Sequence, residues 1–305
     1  MGNNADKRYG QMKLAFVILQ YMAAEDTIEC VQSIRSHIGI RDYRIILVDN
    51  CSPDDAWDRV QGVFGGDEDI ILLRTESNLG FARGNNVGYR YAAEHLDPEY
   101  IILLNNDVLL IQDGIYEVIA DCDRRHGFGV IGPMILTRDG SFGSNPMSRE
   151  DHSLSRETAQ KYNRGDRIKL CLARFHLLRP AEYFYAKLFK RARPDTSYYL
   201  EEHTNVRLQG AFWIFSGRYL AEFPDGLDDR TFLYGEEVLL QYHVLRAGLT
   251  LLYSPRLCVF HKEDASTDSM LGTGNRKQRF ILKNNMISRQ IYLDTLARDD
   301  EQIRS

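Results

Sequence analysis

The sequence predicts an α/β protein built on a doubly wound, mainly parallel sheet. Between residues 13 and 136, short aliphatic runs alternate with amphipathic stretches of helical length, the pattern of parallel strands joined by right-handed crossovers. Several of the runs then stop abruptly on Asn, Asp and Gly, at the strand ends where open α/β sheets hold their ligands. The clearest run spans Tyr100 to Leu110, Tyr-Ile-Ile-Leu-Leu-Asn-Asn-Asp-Val-Leu-Leu. Its four consecutive aliphatic residues follow the turn-like Asp97-Pro98 and suit a strand buried on both faces. An acid fixed on such a rigid element can hold a divalent cation against a diphosphate, although an ordinary Asn/Asp turn would read the same in isolation.

Each element has its own signal. Lys13 to Gln20 reads as a buried strand and Asp26 to His37 as an amphipathic helix with apolar Ile28, Val31 and Ile34. Tyr43 to Val48 is a second strand. Pro53, with acids around it, marks the start of the next helix, where acidic side chains complement the helix dipole. Asp69 to Leu73 is a third strand and Gly80 to Glu94 a helix; a helix near Ile115 to Arg125 and a strand from Gly129 to Leu136 follow the central run.

Composition narrows the function classes. At 305 residues with a formal charge of −5, the chain can bury a large core, and nothing in its charge calls for nucleic acid. The charge is uneven: Arg156 to Arg193 holds eleven Lys/Arg against three Asp/Glu, a balance of +8 that leaves −13 elsewhere. No apolar run approaches the roughly 18 residues of a membrane span, and the polar residues 1–12 lack a signal-peptide core. Five scattered cysteines without a Cys-x-x-Cys pair suit reduced thiols in a cytoplasmic protein.

Three polar strand ends together are more informative than one. Asp49, after the second strand, can accept hydrogen bonds from a base or ribose. After the third strand comes Asn78-Leu-Gly80-Phe-Ala-Arg83-Gly-Asn85-Asn86-Val-Gly88, in which glycines allow close backbone approach, helix N-terminal amides favour an anion and Arg83 can pair with phosphate. With the Asn105-Asn106-Asp107 cluster they point to a nucleotide site. The first strand is followed by Gln20-Tyr-Met-Ala-Ala, not by Gly-x-Gly-x-x-Gly, and no Walker-type Gly-Lys-Ser/Thr occurs, so the nucleotide is held in another way.

Asp49-Asn50-x-Ser52, Asn78-x-Gly80-Phe81-Ala82-x-Gly84-Asn85-Asn86-x-Gly88 and Leu104-Asn105-Asn106-Asp107-Val108 resemble glycosyltransferase family 2, most of all its bacterial rhamnosyl- and galactofuranosyltransferase branch. The resemblance runs from about Leu14 to His261 except for the middle segment. It implies a GT-A type nucleotide-sugar-binding fold, with Asp49, Ser52, Asn78, Gly80, Arg83, Asn86, Asn105 and Asn106 on the donor. It also implies Mg²⁺ or Mn²⁺ at Asp107, the last acid of an Asp-x-Asp-like motif. Asn105 stands at the first position of that motif, leaving one carboxylate and a weaker amide ligand. By the same likeness His261, after Val259-Phe260, completes the metal site; a lone histidine after a strand is otherwise more often structural.

From Gly140 to His203 the resemblance lapses. Ile168 to Arg179 and Ala181 to Arg191 look like two short helices, apolar with Leu, Phe and Tyr on one face and basic on the other. A peripheral membrane contact through 156–193, packing on the catalytic domain or a dimer, and binding of an anionic acceptor all fit. Leu208 to Ser216 then reads as a strand. Phe232-Leu-Tyr-Gly235-Glu236-Glu237-Val-Leu-Leu240 opens a helix with an apolar face of Val238, Leu239, Tyr242 and Leu245. Two acids at a helix start are also ordinary capping chemistry. In the family the second acid of this pair is the catalytic base, a place taken here by Glu237; Glu236 is then a candidate for orienting the acceptor. Leu251 to Tyr253 and Arg256 to Phe260 read as strands, and Asn275 to Arg298 as a terminal helix.

The expected organisation is a nucleotide-sugar half (1–139), a basic helical insertion (140–203), an acceptor half (204–265) and a helical appendage (266–305). The expected activity is inverting transfer from a UDP- or dTDP-sugar to a saccharide acceptor, lipid-linked through a polyprenyl carrier, in bacterial cell-surface polysaccharide synthesis. The alternative is a catalytically silent relative that binds a nucleotide-sugar or saccharide. A nucleotidyltransferase would carry a basic glycine-rich loop after the first strand, which this chain lacks.

Overall fold

A computed structural model describes residues 12–142, 144–175, 178, 196–263 and 274–304. The first half runs β1 (Leu14–Gln20), α1 (Ala24–His37), β2 (Tyr43–Asp49), α2 (Ala56–Phe64), β3 (Ile70–Arg74), α3 (Phe81–His95), β4 (Tyr100–Asn105), β5 (Val108–Leu110), α4 (Ile115–His126) and β6 (Val130–Thr137). The second half runs α5 (Arg156–Arg174), β7 (His203–Thr204), β8 (Phe212–Ser216), α6 (Gly217–Glu222), α7 (Glu236–Arg246), β9 (Leu251–His261) and α8 (Asn275–Arg304). The predicted alternation therefore holds, with three adjustments. The central run breaks into β4 and β5 at Asn106-Asp107. The second helix begins at Ala56, three residues after Pro53, because Asp54 first closes a turn onto the Ala56 N–H at 3.2 Å. Leu251 to His261 is one continuous strand.

The strands form one sheet in the order β3-β2-β1-β4-β8-β6-β9-β5, with β7 on β9. β1 pairs parallel with β2 and β4, as β2 does with β3 and β6 with β9; β4–β8, β6–β8, β5–β9 and β7–β9 are antiparallel. The sheet is thus less uniformly parallel than the periodicity of the first half implies, because β8, supplied by the second half, runs backwards between β4 and β6. Successive side chains of β1 serve opposite faces. Leu14, Phe16 and Ile18 join Val31 and Ile34 of α1, Val60 and Phe64 of α2 and Ile119 of α4. Ala15 and Val17 join Tyr89 of α3, Tyr219 of α6 and Leu240 and Val244 of α7. Each fully buried Phe, Leu or Ile contributes about 1.5–3 kcal/mol. Gly88 lets α3 lie on the sheet: a Cβ there would sit 2.4 Å from Val17 Cγ1.

This layering places the site. α1 and α2 cover one face and α3, which leads from β3 to β4, covers the other, so the strand order reverses between β1 and β4. That reversal opens a crevice beyond the strand ends. Gln20 is in register with Asp49, Leu19 with Asn105 and Asp49 with Arg74, which brings the polar ends to one edge; β1 stands between those of β2 and β4.

Beside this core, α5 and α8 pack on each other. The first of the two predicted short helices is instead the end of a 19-residue helix that starts at Arg156, capped by Ser155 Oγ accepting from Thr158 N–H; the second lies outside the described residues. The buried stripe of α5 is Ala159, Asn163, Asp166 and Ala173, and Arg289 of α8 reaches Asn163 Oδ1 at 2.8 Å and Asp166 Oδ2 at 2.5 Å. Lys161, Arg164, Arg167, Lys169 and Arg174 remain exposed, with Ile168 and Phe175 among them.

Candidate active site

At the reversal lies a cleft of about 330 Å³. Leu19 and Tyr21 after β1, Asn50 after β2, Asn78, Gly80 and Phe81 before α3, and Asn105, Asn106 and Asp107 after β4 form one side. Gln209, Gly210 and Ala211 before β8, the 232–237 turn into α7, and His261 at the end of β9 form the other. Several of these loops hold non-glycine residues at positive φ: Met22 at 60°, Ala23 at 53°, Cys51 at 61° and Tyr234 at 67°. Such conformations cost of order 1–3 kcal/mol each and gather where a site needs a fixed shape. Three buried polar atoms on cleft-lining residues have no hydrogen-bond partner: Gln209 Oε1, Glu236 Oε1 and His261 Nδ1. Buried orphans of this kind fit a polar ligand.

Of the eight residues expected on the donor, Asn78, Gly80, Asn105 and Asn106 line the cleft, and the other four take other places. Asp49 is 1% exposed, and its carboxylate accepts from Ser52 Oγ (2.5 Å), Ser52 N–H (3.1 Å) and Gln20 Nε2 (3.1 Å) beside Arg74 Nε (3.3 Å). Ser52 Oγ in turn accepts from Met22 N–H at 2.8 Å. Asp49 and Ser52 thus tie the loops after β1 and β2 together behind the cleft wall. Arg83 is exposed and donates from Nε to the Asp229 carbonyl at 2.9 Å, away from the cleft. Asn86 is buried with both ends of its amide on Leu227, Nδ2 to the carbonyl and Oδ1 from the N–H, each at 2.8 Å, which braces α3 to the 223–230 loop.

Gly80 meets protein rather than an anion. Its φ is +81°, an added Cβ would lie 2.2 Å from the Phe232 carbonyl oxygen, and that carbonyl takes the Phe81 N–H at 2.7 Å. The glycine therefore locks the two sides of the cleft. Asn50, quoted in the first motif yet not chosen as a site residue, organises this side: it donates to Asn78 Oδ1 (3.2 Å) and the Gly80 carbonyl (3.0 Å) and accepts from Leu79 N–H (2.9 Å). Asn106, also buried, donates to Thr27 Oγ1 at 3.1 Å.

Asp107 and His261 meet through the sheet. β5 pairs with β9 so that Val108 faces His261, the Lys262 N–H donates to the Asp107 carbonyl at 3.0 Å, and His261 Nε2 lies 3.1 Å from Asp107 Oδ1. Lys262 anchors this strand end to α1 through Asp26 Oδ1 at 2.8 Å and through Glu29. Among the described residues no cluster of three or more His, Cys, Asp or Glu could hold a metal by itself. One carboxylate and one imidazole with an orphaned nitrogen, on the wall of a cleft roomy enough for a phosphate group, fit a cation bound mainly by a diphosphate. Mg²⁺ in particular is usually held by one or two carboxylates together with substrate phosphates.

Glu236 and Glu237 open α7, whose N-terminal dipole favours negative charge. The helix is rotated from the expected face: Leu240 and Val244 lie on the sheet, while Leu239 and Tyr242 meet α8. Glu236 is 5% exposed; burial, and then the charge of Glu237, push its carboxyl up to about 8. Burial raises Glu237 as well, opposed by backbone N–H groups at the helix start and at Gly210 and by the charge of Arg207. Gln209 and Gly210, read in the sequence as part of a strand, and the Phe232–Tyr234 turn, read as the approach to the acidic pair, were not chosen as site residues because they carry no catalytic residue type, yet all line the cleft.

The comparisons agree with this architecture. The chain resembles the low-salt glycan biosynthesis hexosyltransferase Agl10 of Haloferax volcanii, 27% identical over 128 residues, which cover 42% of this chain and 38% of that protein. Among solved structures it resembles residues 1–349 of TarS from S. aureus (TM-score 0.51, 12% identity, covering 82% of this chain and 60% of that one). It also resembles GalNAc-T7 with UDP, GalNAc and Mn²⁺ (TM-score 0.54, 14% identity, covering 90% and 48%). Identities this low show the fold alone, a GT-A glycosyltransferase fold. The description "Glycosyl transferase family 2" matches residues 16–182, more than half of the sequence, and the chain belongs to that family.

Proposed function

We propose that this chain is an inverting hexosyltransferase. It would move a sugar from a UDP- or dTDP-sugar to a hydroxyl of a saccharide acceptor, lipid-linked through a polyprenyl carrier, in bacterial cell-surface polysaccharide synthesis. One observation carries the reading: a carboxylate on a helix N-terminus, Glu237, shares a single cleft with the Asp107–His261 pair at the strand-order reversal. A sugar-binding module has no need of a base opposite a phosphate site.

The nucleotide lies along Asn50, Asn78, Asn105 and Asn106, and Gln209 meets sugar hydroxyls. Asp107 and His261 would hold Mg²⁺ or Mn²⁺, which when bound would supply positive charge for the leaving diphosphate. Glu237 takes the proton of the acceptor hydroxyl as its oxygen bonds to the anomeric carbon. The bond from that carbon to the diphosphate breaks on the opposite face, so the configuration inverts. Glu236, protonated at neutral pH by its burial, donates a hydrogen bond that orients the acceptor. Asp49, Ser52, Gly80, Arg83 and Asn86 act on the donor indirectly, by setting the loops that touch it. The exposed basic side of α5, with Ile168 and Phe175, supports contact with an anionic leaflet, where each Lys or Arg is worth about 1 kcal/mol.

The test is Glu237→Gln assayed with a panel of UDP- and dTDP-sugars, Mn²⁺ and lipid extract. Turnover should fall at least about a thousandfold, within the range for loss of a general base, while donor affinity stays within a few-fold. Undiminished turnover in the variant would overturn the role of Glu237. Donor binding without turnover in the wild type, with every acceptor supplied, would favour the silent binder.

A further inference from the structure

Glu236 and Glu237 present a choice that the helix does not make by itself. Two neighbouring carboxyls, Glu236 buried and Glu237 half-buried, cannot both ionise cheaply, so one keeps a proton. Transfer requires that one to be Glu236, because a base must start ionised. Their common helix N-terminus favours both, and Glu236 Oε1 has no partner.

The asymmetry comes from the segment before β8. Its carbonyl of Asn205 accepts from Gln241 Nε2 at 2.8 Å, and Arg207 Nε donates to Gln241 Oε1 at 3.2 Å. Gln241 is fully buried and lies one turn after Glu237 on the same side of α7. Three residues beyond Arg207, Gly210 brings its backbone against the Glu237 carboxylate; a Cβ there would sit 3.1 Å from Oε1. The guanidinium is therefore held on α7 at Gln241, one turn from Glu237, with Nη2 buried and without a hydrogen-bond partner. The backbone is pinned from the other side by Met147 N–H, donating to the Arg207 carbonyl at 2.8 Å.

We infer that Arg207 is the positioning residue that assigns the proton within the glutamate pair, keeping Glu237 ionised and leaving the proton on Glu236. This rests on Glu237 being the base. Glu237 faces Glu236 on its own helix, Asp107 and His261 across the cleft, and the cleft-lining Tyr21 and Tyr234. Arg207 is within electrostatic reach of Glu237 and Glu150 and of Tyr292 of α8 and Tyr162 of α5. Arg207 is thus the cation on the side of Glu237 that Glu236 does not share.

The experiment is a ¹³C NMR titration of the full chain labelled at glutamate Cδ, with the two resonances assigned by Glu236→Gln and Glu237→Gln. It compares the wild type with Arg207→Gln, Arg207→Met and Arg207→Lys. Loss of the charge should raise the Glu237 midpoint by about one pH unit, the ordinary effect of a nearby opposite charge, and Arg207→Lys should restore most of it. In turnover, Arg207→Gln should lose about tenfold in kcat on the acid limb, recover at higher pH and keep its donor KM, since one unit is a factor of ten. Arg207→Met, which retains the bulk of the stem, stands in if the Gln variant does not fold. An unmoved Glu237 midpoint in a folded uncharged variant would overturn the assignment, as would a kcat loss equal at every pH. The titration needs no substrate, so a chain that transfers no sugar sinks the proposed function alone. A moved midpoint with full turnover in Glu237→Gln sinks the base while Arg207 keeps its role.

Discussion

Replacing Glu236 by Gln should stabilise the fold, and by an amount that grows with pH. In the folded chain this carboxyl is 5% exposed and titrates near 8. In an unfolded chain it titrates near 4.3. The native state therefore binds the proton more tightly. The contribution of Glu236 is fully present below about pH 4.3 and drains away as pH rises towards 8. Between pH 5 and pH 8 the gap is about three units, which at 1.36 kcal/mol per unit sets a ceiling of about 4 kcal/mol. Because Glu237 shares the charge, about 2–3 kcal/mol is the expected size. Gln keeps the shape and cannot ionise. Urea unfolding of wild type and variant across pH 5 to 8.5 reads the effect of the pair, since the titrations of groups not coupled to Glu236 cancel in the difference. Near-equal stabilities at pH 5 and a variant advantage of at least about 2 kcal/mol at pH 8 are expected, well above ordinary extrapolation error. A difference that stays flat with pH would show that Glu236 is not held protonated by burial, and would refute the reasoning.

Other perturbations separate braces from ligands. Asn86→Ala removes both 2.8 Å bonds to Leu227 and leaves two buried backbone groups unpaired, so denaturation should register a loss of about 2–4 kcal/mol with donor KM changed by no more than a few-fold. A raised KM in a chain of normal stability would return Asn86 to the donor site. Gly80→Ala forces a Cβ to within 2.2 Å of the Phe232 carbonyl at φ +81°, which should destabilise by more than about 2 kcal/mol and reduce kcat by displacing the 232–235 turn; a fully active, fully stable variant would contradict that close approach. Asp107→Asn should weaken Mn²⁺ stimulation of nucleotide release by at least about tenfold, the scale of losing a ligand contact, when activity is titrated with the metal. An unchanged metal dependence would remove Asp107 from the cation site.

Much of this was legible in order. Strong aliphatic runs such as Ile101 to Leu104 and Ile45 to Val48 announce buried strands because both their faces must avoid water, and their abrupt polar ends announce the edge. The helix α5 was misread because its buried stripe, Ala159, Asn163, Asp166 and Ala173, is small or polar. Its burial is set by Arg289, more than a hundred residues away, and hydrophobic periodicity cannot see such a partner. The start signal at Ser155 was present and went unused. Asp49, Arg83 and Asn86 have the residue types of a donor site, yet each is engaged by a neighbour that only folding supplies: Ser52 and Arg74, the Asp229 carbonyl, and Leu227.

The sequence by itself determined the alternating α/β order, the strands that end in polar residues, the family and the candidates Asp107, His261 and Glu237. The first two are properties of local pattern and period along the chain; the candidates are what the family resemblance of its motifs implies. Tertiary structure decided that β8 enters the sheet backwards beside β4, that β5 and β9 carry Asp107 to within 3.1 Å of His261, and that Gly80 rests on Phe232. It also decided that Arg207 bonds Gln241, one turn after Glu237 on the helix that carries the acidic pair. The reason is physical: strand pairing and burial set which distant groups share a low-dielectric space, and there a carboxyl's proton depends on whichever charge the fold brings beside it.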